Sequence, residues 1–382
     1  MNVAELIRGA DQKMAARDFG AAVSLLEQAA TLEPADISLW MRIAAMRRAS
    51  GQPGRALEAV HKALALNPRD FTALLMRASL LQQAEDPQAG EAWGHALAQK
   101  PDSELPPSLK PVIKEAAQRY AAWQDEQQAR LEASMANAED RAGPEERKRM
   151  ERFRTNTVRR TRAYHSSPTH YHYPELTERE FHPRRLFPWL ERLEAMTGVL
   201  TQELRAVMAA ERTELVPYVQ YDEHVPMEQW RPLNHNPDWT AIHLLLKGER
   251  IEANARHCPK TMALLAEFQQ PVIPGASPNA MFSLLAPRTL IPPHVGINNA
   301  RLVCHLPLII PEGCWFRVGA ETRYWKPAEA FVFDDTIEHE ASNPTDELRI
   351  VFIFDVWHPD LSALERDAVA ALIANVGVGD PL

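Results

Sequence analysis

The chain has 382 residues, a net charge of −9, 45% hydrophobic residues and 24% charged residues. That length supports two or three domains with full-sized cores, and the acidic balance argues against a general nucleic-acid binder, which needs a basic face. Cys258, Cys304 and Cys314 form no CxxC pair, which excludes a disulfide framework and a thiolate zinc site.

The first residues, MNVAELIRGADQKMAARDF, are charged and amphipathic and contain no apolar signal core. No apolar run approaches membrane-spanning length. The expectation is a cytoplasmic protein in a reducing compartment, with no integral membrane segment.

Residues 1–104 repeat. TLEPADISLW at 31–40 returns as ALNPRDFTAL at 65–74 and, more loosely, as AQKPDSELP at 98–106. Pro34, Pro68 and Pro101 are spaced by 34 and 33 residues. Ahead of them recur small pairs, Ala22 and Ala29, Ala56 and Ala63, Ala89 and Ala96, with Leu26, Val60 and Trp93 between. Trp40 and Leu74 hold matching places in the first helices of their repeats. Small residues let two helices approach closely, and proline stops the second helix before the next unit. The pattern resembles the tetratricopeptide repeat, with about 34 residues per helix–turn–helix unit. That resemblance implies an α-helical array with a concave surface that recruits a protein or peptide.

Residues 105–165 read as a charged helical linker. A long helix through KPVIKEAAQRYAAWQDEQQARLEASMANAEDRA is broken at Ala142-Gly143-Pro144, and the basic run PEERKRMERFRTNTVRRTR follows. Acidic neighbours and scarce aromatics favour a solvated connector over a nucleic-acid arm. HSSPTHYHYP at 165–174 carries His170 and His172 as an HxH pair, but no carboxylate stands at a useful spacing, so it reads as a loop entering the next domain.

Residues 166–382 form a second domain. FPWLERLEAMTGVLTQELRAVM at 187–208 has helical apolar spacing, and a further helix is expected at 361–375. Between them run short apolar stretches: LVPYVQY, WTAIHLLLKG, MFSLLAP, RLVCHLPLII, WFRVGAE, AFVFDD and LRIVFIFDVW. Many short strands between turns predict a sandwich or a barrel-like roll. In RLVCHLPL, alternation puts Arg301, Val303 and His305 on one face and Leu302, Cys304 and Leu306 on the other.

His294, His305, His339 and Arg349 are polar interruptions of apolar strands, and such positions are costly unless used or paired. A metal site and a set of satisfied strand-end histidines both fit. Non-haem Fe(II) oxygenases use two imidazoles and usually one carboxylate, leaving open positions. His294, His339 and Arg349 suit that layout, but the carboxylate expected two residues after His294 is Gly296. Asp334 and Asp335 are either spare ligands or residues that fix the turn before His339.

The stretch 294–361, densest in RL..HL.L, FDD..EHE and FDVWHP, resembles the aspartyl/asparaginyl β-hydroxylase family. Its members are 2-oxoglutarate dioxygenases in which glycine commonly replaces the third protein ligand. The resemblance runs from about 170 to 370 and implies a double-stranded β-helix, or jelly roll, with Fe(II) as metal and 2-oxoglutarate and O₂ as co-substrates. It further implies that His294 and His339 bind Fe(II), that Arg349 and Ser283 hold the C5 carboxylate of 2-oxoglutarate, that His305 meets its C1 carboxylate, and that Trp239 walls the pocket. Arg301 is carried over as a co-substrate or substrate contact. His358 and Cys304 are read as structural. The animal members often have arginine at the place of Val303, lysine near Ser283 where Met281 stands, and glutamine at Ala241. Their disulfide is absent too, since HCPKTM keeps only Cys258. The metal and co-substrate site is therefore expected intact and the prime-substrate site rewritten. The implied activity is β-hydroxylation of Asp or Asn in a protein or peptide. A free or carrier-bound amino acid, a lipid acyl chain, and a non-catalytic repeat scaffold with a ligand-binding roll are the alternatives.

Overall fold

The computed structural model describes residues 2–210, 215–222, 224 and 228–377. Two compact units divide between Thr161 and Arg162.

The first unit is helical. Its pairs are α1 (Val3–Ala15) with α2 (Phe19–Leu32), α3 (Ile37–Ala49) with α4 (Pro53–Leu66), and α5 (Phe71–Gln83) with α6 (Ala89–Leu97). Aspartates start three of these helices. Asp18 accepts from Ala21 N at 3.1 Å, Asp36 from Ser38 N at 2.8 Å and Asp70 from Ala73 N at 2.8 Å. Each satisfies an N–H that the first turn leaves without a helical partner. The repeated alanines and Leu26, Val60 and Trp93 are all buried on α2, α4 and α6, where the small side chains let neighbouring helices close. Trp40 is partly exposed and donates its Nε1 to Pro34 O at 3.0 Å. The repeat reading of residues 1–104 thus describes three helical hairpins.

The sequence places a solvated linker at 105–165, and the structure differs there. α7 (Lys110–Arg141) and α8 (Pro144–Thr157) belong to the helical unit. Val112, Ile113, Ala116 and Tyr120 pack with Trp93 and Ala96 in one cluster. Gly90 and Gly94 make the contact possible: a Cβ at either would overlap Trp123 or Tyr120 of α7. Arg154 of α8 is buried and pairs with Glu139 of α7. The break at 142–144 falls where Ala142 leaves the helix and Pro144 opens the next one.

The second unit is a roll. In chain order its elements are β1 (Phe181–His182), α9 (Leu190–Ala195), α10 (Thr197–Met208), β2 (Leu215–Pro217), β3 (Trp239–Leu246), β4 (Glu249–Arg250), α11 (Glu252–Ala255) and α12 (Pro259–Glu267). There follow β5 (Ala280–Leu285), β6 (Thr289–His294), β7 (Arg301–Ile309), β8 (Trp315–Val318), β9 (Glu321–Tyr324), β10 (Phe331–Phe333), β11 (His339–Asn343), β12 (Arg349–Trp357) and α13 (Ala363–Val376). The major sheet runs β1-β10-β7-β12-β5-β3-β2, with β4 on β3, and the minor sheet runs β6-β11-β8-β9. All pairings within the two sheets are antiparallel. From β5 onward the chain passes repeatedly between the sheets, the winding of a double-stranded β-helix.

The alternation expected of β7 is present. Leu302, Cys304, Leu306 and Leu308 pack under α9 and α10 with Leu193, Leu200 and Leu204. Val303 faces the space between the sheets with Phe316, Phe331 and Phe333. Glu203 of α10 fixes α12 by accepting from Lys260 N and Thr261 N at 2.8 Å each, a buried carboxylate on a helix N-terminus.

Candidate active site

The space between the sheets is a cavity of about 730 Å³. It is lined by His294, Gly296, Arg301, His305, Asp335, His339 and Arg349, together with Trp239 and Ser283. Every residue singled out in the sequence as a metal or co-substrate contact therefore meets in one place.

His294 ends β6 and His339 begins β11, and the two are direct cross-strand partners. Their ring centroids lie 4.0 Å apart. The β6–β11 register shifts just beyond His339, between His339 and Ala341. Each imidazole is anchored through Nδ1, His294 to Pro292 O at 2.8 Å and His339 to Ile337 O at 3.1 Å. A carbonyl can only accept, so both Nδ1 atoms carry the proton and Nε2 is the nitrogen that keeps its lone pair in each ring. This carbonyl anchoring is the outer-shell arrangement that orients histidine ligands. Burial pushes His294 down to about 3, helped by its neighbour His339, and pushes His339 down to about 4. Both are neutral bases at pH 7, the form a metal requires.

Gly296 has a local cause. A Cβ at this position would overlap the Asp335 carboxylate. Gly296 N also donates to Asp335 O at 2.7 Å. Asp335 thus fills the place beside the histidines that a side chain at 296 would occupy, while its Oδ2 accepts from Arg301 Nη2 at 2.9 Å. Its Oδ1 has no hydrogen-bond partner among the described residues. Asp334 is the turn-fixing residue: it accepts from Thr336 N at 2.9 Å and Thr336 Oγ1 at 2.5 Å. Among the described residues no group of three His, Cys, Asp or Glu side chains is placed to hold an ion. A metal here would rest on the two imidazoles.

Arg349 opens β12 and is only 2% exposed. It makes no ion pair with a carboxylate among the described residues, and its Nε is unpartnered. Its Nη1 reaches Ser283 Oγ and Ser283 O at 3.4 Å, and its Cζ stands 4.7 Å over the Trp325 ring. Burial lowers its proton affinity to about 10, so it stays charged at pH 7. Ser283 Oγ also accepts from Trp239 Nε1 at 3.2 Å. Asn343 braces the turn before Arg349 by donating to Leu285 O, Ala286 O and Glu347 O. His305 sits among Phe316, Phe331 and Phe333 with Nδ1 unpartnered among the described residues, and burial drives it well below the usual histidine range.

Three contributions escaped the sequence. Trp230 packs edge-on against His294 at 4.9 Å, and Trp325 covers Arg349. The HSSPTHYHYP segment is a strap: Ser166 Oγ meets Thr336 Oγ1 at 2.7 Å, Thr169 N donates to Gly296 O at 3.0 Å, and Tyr173 N donates to Asn299 Oδ1 at 2.6 Å. It fastens the loops that follow His294 and precede His339. His170 bonds Thr169 within the strap. His358 is structural, buried with Nε2 on Thr177 O at 3.3 Å.

Residues 194–359 match the aspartyl/asparaginyl beta-hydroxylase family. The matched segment lies within the roll. The chain is 37% identical over 142 residues to the mouse aspartyl/asparaginyl beta-hydroxylase, a match covering 37% of this chain and 19% of the mouse protein. It is 35% identical over 150 residues to human aspartate beta-hydroxylase domain-containing protein 2, covering 38% of this chain and 40% of that protein. The chain therefore matches less than half the length of either relative. The helical unit is similar to the Sgt2 TPR domain from Aspergillus fumigatus, at 21% identity and a TM-score of 0.27 over 31% of this chain and 78% of that one.

Proposed function

We propose that the roll is an Fe(II)- and 2-oxoglutarate-dependent dioxygenase that hydroxylates an unactivated carbon in a protein or peptide side chain. The β-carbon of Asp or Asn is the target indicated by the names of its relatives. The observation that carries the reading is Arg349: a buried guanidinium without a carboxylate partner among the described residues, lining the same cavity as two imidazoles anchored through Nδ1.

His294 and His339 would hold the metal through Nε2. Arg349 would receive the far carboxylate of 2-oxoglutarate, where a planar fork and low exposure make the charge-assisted contact strong. Ser283 orients that fork and is itself held by Trp239. His305, neutral and without a partner at Nδ1 among the described residues, offers a hydrogen bond to the other end of the co-substrate. When bound, the metal and co-substrate supply the oxidation that places one oxygen of O₂ in a C–H bond and the other in succinate, with loss of CO₂. Trp230, Trp239 and Phe316 shield the histidines from bulk water. The helical repeats, in this reading, recruit the polypeptide. No helix among the described residues is long and apolar enough to cross a membrane.

The test needs no substrate. Anaerobic addition of Fe(II) and 2-oxoglutarate should give a visible metal-to-ligand charge-transfer band that His294→Ala and His339→Ala abolish. Folded protein without the band would favour the non-catalytic scaffold.

A further inference from the structure

Asp355 lies in FDVWHP near the end of β12, the strand that Arg349 opens. Its carboxylate is buried and lines the cavity. Oδ2 accepts from Ser277 Oγ, and from Asn279 N and Asn279 Nδ2 at 2.8 Å each. Asp355 N donates to Asn279 O at 3.1 Å. The residue is thus clamped, backbone and side chain, to the segment that leads into β5.

The other oxygen faces Arg301. Asp355 Oδ1 stands 3.4 Å from Arg301 Nη1, while Arg301 Nη2 reaches Asp335 Oδ2 at 2.9 Å. One guanidinium therefore spans two aspartates, from β12 to the turn before β11. A second buried carboxylate on one arginine costs desolvation and repels the first, so stability alone does not call for it. Geometry does. Among the described residues the bond to Arg301 is the only side-chain hydrogen bond of Asp335, and its Oδ1 has none. Arginine is long and rich in rotamers, so by itself it cannot hold that carboxylate in one place. Its two Nη atoms diverge in a rigid plane, however, so fixing Nη1 on a clamped Asp355 sets where Nη2 points. It points to the Asp335 carboxylate, which stands where a Cβ at Gly296 would be.

We propose that Asp355 is a positioning residue: acting through Arg301, it holds the Asp335 carboxylate beside His294 and His339, in the place that a side chain at 296 would occupy. The inference rests on the dioxygenase reading and deepens it, since it adds a remote anchor to the proposed metal site. Outer-shell partners of this kind set metal affinity by about 10–100-fold.

The test is a double-mutant cycle read by metal binding. The full chain is titrated without oxygen or co-substrate with Co(II), a divalent probe with visible d–d bands, as wild type, Asp335→Asn, Asp355→Asn and the double variant. Each single variant should weaken Co(II) binding by about tenfold or more. The double variant should bind within about twofold of Asp335→Asn alone, because Asp355 acts through the carboxylate already removed. An Asp355 that served the fold alone, or acted by its charge alone, would weaken binding equally in both backgrounds, and that result overturns the proposal. So does wild-type affinity in either single variant. Thermal melts establish that each variant is folded. If Asp355→Asn is not, Arg301→Lys carries the same cycle, since it keeps the charge but cannot span both carboxylates. Absence of Co(II) binding in the wild type, or binding that His294→Ala leaves unchanged, overturns the metal site of the dioxygenase reading, and this inference with it.

Discussion

In the helical unit the buried side chains are aliphatic apart from Phe71 and Trp93, and among the described residues the one buried charge, Arg154, is paired with Glu139. In the roll the buried set includes Arg349, His182, His305, His339, His358, Asp334, Asp335, Asp355 and Glu203. Some of these are fully employed in structure, as Glu203 and Asp355 are. Others are not: Arg349 Nε, His305 Nδ1 and Asp335 Oδ1 have no partner among the described residues, and all three side chains line one cavity. An unsatisfied buried polar atom costs about 1–3 kcal/mol. A fold that concentrates several of them in one space, while its helical unit leaves Gln128 Oε1 and Arg154 Nε unpartnered among the described residues at separate places, has given up stability where a ligand completes the bonding.

The sharpest way to break this contrast is Arg349→Met. If Arg349 waits for an anion, the variant should bind 2-oxoglutarate about a hundredfold more weakly, read from titration of the charge-transfer band. The ligand-free variant should melt no lower than the wild type, because an unpaired buried cation has been replaced by an apolar side chain of similar reach. A clear fall in melting temperature with unchanged 2-oxoglutarate affinity would mean that Arg349 is a structural residue, and the contrast would lose its centre.

A smaller effect should separate polar burial without function from polar burial with it. His182 lies outside the cavity, buried, with both ring nitrogens unpartnered among the described residues, and its ring meets His358 at 5.2 Å. Burial, then His358 and Arg179, lower it to about 3. The folded protein refuses a proton that the unfolded chain accepts below about pH 6.5. Its contribution to stability is therefore present above pH 6.5 and is lost as pH falls toward 3, at up to about 1.4 kcal/mol per pH unit. His182→Phe, beside Phe187, should flatten the fall in unfolding free energy from urea titrations between pH 7 and pH 5 by roughly 1–2 kcal/mol and leave the charge-transfer band unchanged. An unaltered pH profile would show that His182 titrates normally.

The sequence carried these two regions in different ways. The helical repeats were legible because period, proline and small-residue positions are local signals, and Ala22, Ala56 and Ala89 all proved buried. The packing of α7 was not, because Gly90 and Gly94 read as weak helix formers rather than as the contact that admits Trp123 and Tyr120. In the roll, β7 and β12 were plain from apolar alternation. β6 was obscured by Pro292 and Pro293, and β11 by the polar text of HEASN. His294, His339 and Arg349 stood out because they interrupt apolar strands. Trp230, Trp325 and the strap at 165–173 did not, since their roles depend on contacts between segments distant in the chain. The Asp335–Gly296 contact was half legible: the missing side chain could be read, but not the carboxylate that fills its place.

The smallest effect tests the opposite side of the comparison, that the helical unit is built from local satisfaction. Asp70 stands two residues after Pro68, as Asp36 stands two after Pro34, and each starts the next helix. Its carboxylate accepts from Ala73 N at 2.8 Å and places a negative charge at the positive end of α5. Asp70→Ala should cost about 1 kcal/mol, and Asp70→Asn, which keeps an accepting oxygen, much less. In an array whose stability is nearly a sum over neighbouring repeats, that loss should lower the helical unfolding transition by a few degrees and leave the charge-transfer band and 2-oxoglutarate affinity of the roll untouched. A matching loss in the roll would show that the two units share one cooperative transition, so that polar strain in one could be offset by the good packing of the other.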